Sequence, residues 1–448
     1  MKESAFLRFL DLYVGTFLCF VLSLFRRIRP YNPNIRRILL IELFEMGASV
    51  MAIPSVRHIL SRHPNAEIYV LTTIGNRSSW DISQLIDKDR IICLDGRNLW
   101  TFIRSGIWAI FHLRALRIDL SVDFEKFSRI SVIFSVLSRV SRVAGFFRYE
   151  YEGLYRGTNL IDAPCAFNQN SHIAFNFLAL TKTALSTSLS YPNLKEALNP
   201  SELSIPRVAV EAERIVHVHN QLGLRKSETL VIMCPDVGGN LQIRNYPVES
   251  YARVAQSLLE DSATRHIAII GLNSNRVICD QLEGLISNPR VHNLCGSTPS
   301  LEGLIELISA SELLIGNDNG PLHFASLTST PILGIFSTDS PFMYGPLGEA
   351  VVLFTFYHCS PCISALNHKR SRCRESDCIS SIHPSIVSDM AKRLIHKEVE
   401  TRTINGTISY LTSGEALFEQ QPLVYIGSSR KKPSSKHPSS EQEFATLC

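Results

Sequence analysis

Short apolar runs alternate along this chain with longer segments in which apolar residues recur at helical spacing. In the first half, runs without a helical period predict buried strands at residues 37–41, 68–71, 91–95, 120–124 and 142–146. Between the first two runs, Val50, Ile53, Val56, Ile59 and Leu60 form the apolar stripe of an amphipathic helix. Strands that alternate with helices predict a doubly wound parallel sheet.

The second half repeats this pattern, with predicted strands at residues 230–235, 267–271, 291–294, 313–316 and 331–336. Residues 188–206 separate the halves, and their three prolines and several serines indicate a connection between domains. We therefore predict a hydrophobic segment at 1–30, domains at 31–200 and 207–398, and a low-complexity, disordered tail at 399–448.

The stretch from 313 to 336 predicts one βαβ unit with a polar turn, Asn317 to Pro321, between its first strand and its helix. Ligands of open α/β sheets bind at the carboxyl ends of the strands, where this turn lies. Backbone N–H groups at the helix start favour an anion, and Asp318 and His323 suit sugar hydroxyls and a diphosphate. An ordinary glycine turn is the alternative interpretation.

Arg244 follows the first strand of the second half and is the candidate for contacting phosphate oxygens, because its guanidinium is planar and charged. Gly238 and Gly239 in the same loop let backbone approach a ligand closely. A solvated surface arginine is the alternative.

These residues together resemble glycosyltransferase family 9, the ADP-heptose:lipopolysaccharide heptosyltransferase family. The resemblance rests on a D-x-G-x-x-H core (Asp318, Gly320, His323), followed by Pro331, Phe336 and Gly345-Pro346, and on Arg244-Asn245-Tyr246-Pro247, which is similar to the family's Lys-x-Trp-Pro element. It implies the α/β GT-B architecture, two Rossmann-like domains with parallel sheets facing a central cleft. The second domain would then bind the donor through Arg244, Asp318, Asn319, Gly320 and His323.

The first domain resembles the same family in the segment MGASVMAIPSV, which begins at Met46, but departs from it at one position. The family's loop aspartate, its general base, corresponds to Ala48, and alanine cannot accept a proton. Glu45 and Glu42 lie in the same loop, and the role needs only a basic oxygen within hydrogen-bond reach of the hydroxyl. We take Glu45 as the candidate catalytic base, with Glu42 as base, or a surface or ion-paired glutamate, as alternatives.

The resemblance implies an inverting, metal-independent transfer of a heptose-like sugar from an ADP-heptose type donor to a lipopolysaccharide core or related lipid-linked saccharide, without a cofactor. A non-catalytic, membrane-associated sugar-nucleotide or saccharide binder is the second hypothesis, and Ala48 favours it. An oxidoreductase is disfavoured, because the first strand leads into EMGAS rather than a G-x-G-x-x-G turn.

Net charge and the hydrophobic amino-terminal segment indicate which classes of partner to expect. A net charge of +4 over 448 residues gives no reason to expect nucleic acid binding. The uncharged run 12–25 is shorter than the roughly 20 residues that span a bilayer, and five arginines follow it. We expect the segment to associate with the cytoplasmic face of the inner membrane, as a tilted span or an interfacial helix. A core helix of the first domain is the alternative.

The eleven cysteines are mostly scattered, and we expect thiols rather than disulfides in the reducing bacterial cytoplasm that the family implies. One cluster stands out: Cys359, Cys362, Cys373 and Cys378 lie close in sequence beside His358 and His368. A structural zinc, a redox pair and free thiols are all compatible with that spacing.

Overall fold

The computed structural model describes residues 9–26, 34–126, 128–147, 158–187, 194–238, 242–298, 300–355, 357–364, 371–399 and 423–426. The strands of the first half are β1 (Arg37–Ile41), β2 (Glu67–Thr73), β3 (Ile91–Leu94), β4 (Leu120–Asp123), β5 (Arg142–Phe147) and β6 (Ala163–Ala166). Those of the second half are β7 (Thr229–Cys234), β8 (Arg265–Ile269), β9 (Val291–Asn293), β10 (Leu313–Asn317), β11 (Ile332–Phe336), β12 (Ala350–Phe354) and β13 (Leu423–Ile426).

The described helices of the first half are α1 (Thr16–Ser23, after a π-helical turn at Leu10–Gly15), α2 (Met46–Arg62), α3 (Arg77–Asp81), α4 (Leu99–Leu116), α5 (Arg129–Leu137) and α6 (Ile173–Leu185). Those of the second half are α7 (Ala212–Gln221), α8 (Val248–Asp261), α9 (Arg276–Ile286), α10 (Leu301–Ser309), α11 (Gly320–Ala325), α12 (Pro341–Tyr344), α13 (Asp377–Ser380) and α14 (Pro384–Ile395).

The strands form two separate sheets, in the spatial orders β3-β2-β1-β4-β5-β6 and β13-β12-β11-β10-β7-β8-β9. Every pairing is parallel except that of β12 with β13, which is antiparallel. All ten strands predicted from the apolar runs are present. β13 lies within the predicted tail, most of which falls outside the described residues. The domain boundaries stay a prediction.

Alternate residues of β1 show how the first sheet is buried on both faces. Ile38 and Leu40 pack into a core cluster with α2 and α6, whereas Leu39 and Ile41 pack into another with α4 and α5. This is the period-2 arrangement of a strand between two helical layers, and it explains why the strands are almost wholly apolar. The two-layer wrapping makes each half a Rossmann-like unit, called here the first and second unit.

Helix α1 docks on the first unit through one side. Cys19 is buried against Val132 and Ile133 of α5, and Arg26 forms an ion pair of 2.5 Å with buried Asp162. Asp11 Oδ1 accepts the N–H groups of Arg129 and Ile130, each at 3.0 Å, and so caps the start of α5. None of the described helices is long and apolar enough to cross a membrane.

The two units meet through α2. Val50 and Ile53 of α2 share an apolar cluster with Leu301, Ile305 and Phe324 of the second unit. The predicted stripe of α2 is therefore divided between its own sheet and the facing unit.

The units also approach each other closely at Gly47, in the first turn of α2. A Cβ atom there would lie 2.6 Å from Cδ2 of His323 in α11. Only glycine lets the helix approach the imidazole this closely.

Loss of the Asp11 cap should weaken the docking of the amino-terminal helix. Asp11→Ala removes the acceptor of two backbone donors, and we expect the free energy of unfolding to fall by roughly 0.5–2 kcal/mol, the range for losing a cap. Chemical denaturation measures this. Asp11→Asn is the matched control, since its amide oxygen still accepts, and it should cost less. Equal loss in both variants would point to the charge of Asp11 rather than to capping.

Filling the space at Gly47 should separate the units. Gly47→Ala should lower the free energy of unfolding by about 1–3 kcal/mol, the usual cost of overpacking, because His323 is buried and has little room to move. Gly284→Ala in α9 is the control, since nothing lies within 4 Å of the added methyl group; it should stabilise by roughly 0.5–1 kcal/mol. In a His323→Ala background the cost of Gly47→Ala should shrink, and an undiminished cost would contradict the contact.

Candidate active site

Both sheets have the strand order of a Rossmann fold, and in each the order reverses once. The reversal lies between β1 and β4 in the first sheet and between β7 and β10 in the second. Ligands of such sheets bind outside the carboxyl ends of the strands at this switch point. The loops after these four strands hold Glu42 and Glu45, Glu125, Arg244 and Asp318, so the topology brings most of the sequence-predicted site residues to the two switch points.

Arg244 lies at the second switch point, at the end of a short 3-10 turn (Gln242–Arg244). Its Nη2 donates to the backbone oxygen of Asp318 at 2.8 Å and also to Oδ2 of that residue, while its Nε lies 3.0 Å from Oδ2 of Asp339. The side chain is 16% exposed, so it is not a solvated surface arginine. Burial opposes its charge, but Asp318 and Asp339 outweigh burial and raise the guanidinium pKa above its ordinary value.

Asn319 is the N-cap residue of α11. Its Oδ1 accepts from the N–H of Leu322, and its Nδ2 donates to the backbone oxygen of Asp236 at 2.9 Å. The turn after β10 is thereby tied to the loop after β7. Gly320, next to Asn319, is the first residue of the helix, so α11 begins within the stretch that was predicted to be a turn.

Asn317, the last residue of β10, is fully buried and holds the same two loops together. Its Nδ2 donates to the backbone oxygen of Pro235 at 2.8 Å, and its Oδ1 lies 3.2 Å from both the N–H of Tyr246 and the hydroxyl of Tyr251. The sequence signal is an asparagine that closes an otherwise apolar strand, and the turn prediction included this residue without indicating its role in joining the loops.

His323 faces the cleft from the first turn of α11, with Nε2 3.7 Å from Oδ1 of Asp318. Its Nδ1 is buried, and among the described residues it has no hydrogen-bond partner. The two predicted residues are therefore adjacent.

His172, which the sequence interpretation missed, lies close to His323 and joins the two units. Its Nε2 donates to the backbone oxygen of Gly345 at 2.9 Å, so its Nδ1 accepts the N–H of Ala174 at the start of α6. Burial lowers the pKa of His172 to about 4, the Gly345 carbonyl opposes that shift, and the charge of His323 adds to it. His172 is therefore neutral at pH 7. A histidine before a helix gave no signal that its partner is 173 residues away.

Glu45 and Glu42 differ sharply in their surroundings at the first switch point. Glu45 is the N-cap residue of α2, and its side chain is 39% exposed, with Oε2 3.4 Å from Nζ of Lys126. Glu42 is only 2% exposed, and its Oε1 accepts the N–H of Glu45 at 2.7 Å. Glu42 therefore fixes the loop, and Glu45 presents its carboxylate to the cleft. Ala48 packs against the core.

Glu125, which directly follows β4 and Phe124, is a second carboxyl group that the sequence interpretation missed. Its Oε1 accepts the N–H groups of Leu43, at 2.5 Å, and Phe44, at 3.1 Å. Burial raises the pKa of Glu125 to about 7; the Leu43 N–H opposes the rise, and Asp123 and Glu45 add to it.

Lys126 links this acidic loop to the second unit. Its Nζ lies 3.5 Å from the Tyr344 hydroxyl and 4.9 Å from the centre of the Tyr344 ring, in addition to its contact with Glu45. An ammonium over an aromatic ring is attracted by the ring quadrupole, so this contact helps to hold the units together. The cleft is thus lined by carboxylates on one side and by Arg244 on the other.

The cysteine cluster shows no metal site. Within the described part of the chain, no group of three or more His, Cys, Asp and Glu side chains is arranged to hold a metal ion. The zinc alternative for Cys359, Cys362, Cys373 and Cys378 therefore gains no support, and His368 lies outside the described residues.

Ionisation of Glu125 should make stability depend on pH. Its pKa is higher in the folded chain than the usual unfolded value near about 4.3, so the folded state favours the protonated form and stability falls as pH rises from roughly 5 to 8. Glu125→Gln cannot ionise but can still accept the two N–H groups. Its free energy of unfolding relative to wild type should therefore rise by roughly 1–3 kcal/mol across that range, at about 1.4 kcal/mol per pKa unit.

Glu228→Gln is the control for this experiment. The Arg225 guanidinium lowers the pKa of Glu228 to about 2, so that group is ionised in both states over most of the range. The difference between this variant and wild type should stay nearly constant from pH 5 to 8. A constant difference for Glu125→Gln as well would contradict the raised pKa.

Comparison with known proteins agrees with this geometry. Residues 187–371 match the family model "Glycosyltransferase family 9 (heptosyltransferase)". The chain is 21% identical to lipopolysaccharide heptosyltransferase 2 of Escherichia coli (strain K12) over 204 residues, which are 44% of this chain and 54% of that protein. The chain thus spans about half the length of the curated relatives it matches.

Solved structures extend the comparison to both units. The E. coli ADP-heptose lps heptosyltransferase II superposes with a TM-score of 0.63 at 18% identity, covering 81% of this chain and 99% of that one. A glycosyltransferase family 9 protein of Veillonella parvula gives a TM-score of 0.61 at 16% identity, covering 83% and 99%. At these identities the likeness shows the fold, and the GT-B prediction is confirmed. Residues 187–371 are thus similar to glycosyltransferase family 9, the heptosyltransferase family, as the sequence resemblance implied, and the chain has the GT-B fold.

Proposed function

We propose that this protein is an inverting, metal-independent glycosyltransferase. It would transfer a heptose-like sugar from an ADP-heptose type donor to a lipopolysaccharide core or a related lipid-linked saccharide. The observation that carries the proposal is the pairing of two switch points across one cleft, with a buried arginine on one side and an accessible carboxylate on the other. Donor and acceptor then meet between the units.

The donor diphosphate would bind at the second switch point. Arg244 contacts Asp318 through Nη2 and Asp339 through Nε, and we assign its Nη1 to a phosphate oxygen of the donor. Asn319, Gly320 and His323 would complete the donor site around it. A fixed cation at the leaving diphosphate stabilises the charge that develops there in the transition state.

Glu45 would act as the general base. Its carboxylate would take the proton of the acceptor hydroxyl while that oxygen forms a bond to the anomeric carbon and the bond to the diphosphate breaks. Attack from the face opposite the leaving group inverts the configuration. The accessibility of Glu45 supports this role over Glu42, whose carboxylate already holds the loop.

A lipid-linked acceptor would place the reaction at a membrane, and we propose the cytoplasmic face of the inner membrane. The relatives support this location only because their names include lipopolysaccharide.

The second candidate is a sugar-nucleotide binder without activity, which Ala48 favours because the loop lacks the family's aspartate. A transfer assay separates the two. Purified protein is incubated with ADP-heptose and a lipid-linked core acceptor, and ADP release and the mass of the acceptor are followed. Stoichiometric ADP release with glycosylated acceptor supports the enzyme, whereas tight ADP binding with no transfer to any acceptor supports the binder.

Substitution of Glu45 should reduce turnover in that assay. General-base catalysis contributes typically about 10²–10⁴-fold, so Glu45→Gln should lower kcat by that order while donor affinity, measured by calorimetry, stays nearly unchanged. Glu42→Gln is the matched control: the amide oxygen can still accept the Glu45 N–H, and kcat should change little. If the losses are reversed, Glu42 is the base. If both variants keep full activity, another group accepts the proton.

A further inference from the structure

The face of α4 that points away from the sheet is apolar, although it is exposed. Its exposed residues recur every three or four positions along the helix and are Leu99, Trp100, Ile103, Arg104, Ile107, Trp108, Phe111 and Ala115. The opposite face is apolar too, because Ala109 and Leu113 pack into the core. A surface helix of a globular protein normally turns a polar face outward. A continuous exposed apolar stripe indicates a surface that binds something.

The amino-terminal helical segment repeats this arrangement beside it. Its exposed residues include Phe9, Tyr13, Phe17, Phe20 and Leu24, which share one face. This segment and α4 both pack against α5: Cys19 is buried against α5 from one side, and the Phe102 ring meets the Phe134 ring edge-on at 6.3 Å from the other. The two apolar faces therefore belong to the same layer of the first unit.

The charges of this layer indicate which kind of partner binds to its apolar surface. From residue 96 to residue 118 the only Asp, Glu, Lys or Arg residues are arginines, of which Arg97 forms an ion pair of 2.7 Å with Asp95. Arg104 is exposed within the stripe, and the Arg114 guanidinium lies 5.4 Å from the centre of the Phe111 ring. Tryptophan and phenylalanine with interspersed arginines match the boundary between acyl chains and anionic headgroups. A second copy of this face would place like charges opposite one another.

We propose that α4 and the amino-terminal helix form one docking surface that lies in the headgroup region of an anionic lipid bilayer. The surface holds the first unit at the membrane by two helices rather than by the amino-terminal segment alone. This extends the membrane location in the proposed function, but it does not depend on which sugar is transferred. Docking through this face of the first unit, which is the proposed acceptor side, would keep a lipid-linked acceptor close to the cleft.

Vesicle co-sedimentation of the full chain tests the proposal. Wild type should bind vesicles of phosphatidylglycerol and phosphatidylethanolamine more tightly than vesicles of phosphatidylcholine, and salt should weaken binding. Replacing Ile107 and Trp108 together by serine should lower the partition coefficient by more than about tenfold, since both side chains are over half exposed and would lose their insertion. Arg104→Glu should reduce binding to the anionic vesicles only.

Val277→Ser is the matched control, because Val277 is 79% exposed on α9 of the second unit, and it should leave binding unchanged. Binding by the Ile107/Trp108 variant at the wild-type level would overturn the proposal. The proposal would also be overturned if wild type did not bind vesicles but formed a dimer that the Ile107/Trp108 variant disrupts. The face would then be an interface between copies of the chain. ADP release with a water-soluble acceptor should be equal in all variants, which separates failure of this proposal from failure of the proposed activity.

Discussion

The buried guanidinium of Arg244 organises the candidate donor site. A charge removed from water is costly unless partners surround it, and here Asp318 and Asp339 supply two carboxylates from the ends of neighbouring strands. The ion cluster fixes the loop after β7 against the turn after β10. It also orients Asp318 toward His323, and the His323 ring lies against Gly47 of the first unit. A continuous series of contacts thus runs from the ion cluster across the cleft.

The first switch point has a different electrostatic environment. Glu42, Glu45 and Glu125 crowd one short loop, where unbalanced carboxylates would repel one another. Backbone N–H groups of the loop bond to Glu42 and Glu125, and Lys126 lies beside Glu45. Burial, and to a smaller extent the neighbouring Asp123 and Glu45, raises the pKa of Glu125. An accessible carboxylate beside a lysine is compatible with proton transfer even though Ala48 occupies the position of the family's aspartate.

The sequence predicted the parts of this molecule that depend on local pattern. Apolar runs located the strands because a parallel sheet buried on both faces leaves little room for polar residues, and the Asn317–Pro321 pattern predicted a polar turn after the strand that is β10. Partners distant in sequence could not be predicted. Asp339 and His172 take part only because the fold brings them beside Arg244 and Gly345, and neither carries a local motif. Likewise, the apolar outer face of α4 looks from its periodicity like an ordinary buried helix, and only its exposure distinguishes it.

The position of the diphosphate tests this account most directly. A crystal structure of the full chain with bound ADP should show a phosphate oxygen within about 3.2 Å of Arg244 Nη1, the ordinary limit of a hydrogen bond, and the diphosphate beside Asn319 and Gly320. Asp318 and Asp339 should still hold the guanidinium in that complex. Nucleotide bound elsewhere in the cleft, with no phosphate contact to Arg244, would contradict the assignment of the second switch point as the donor site.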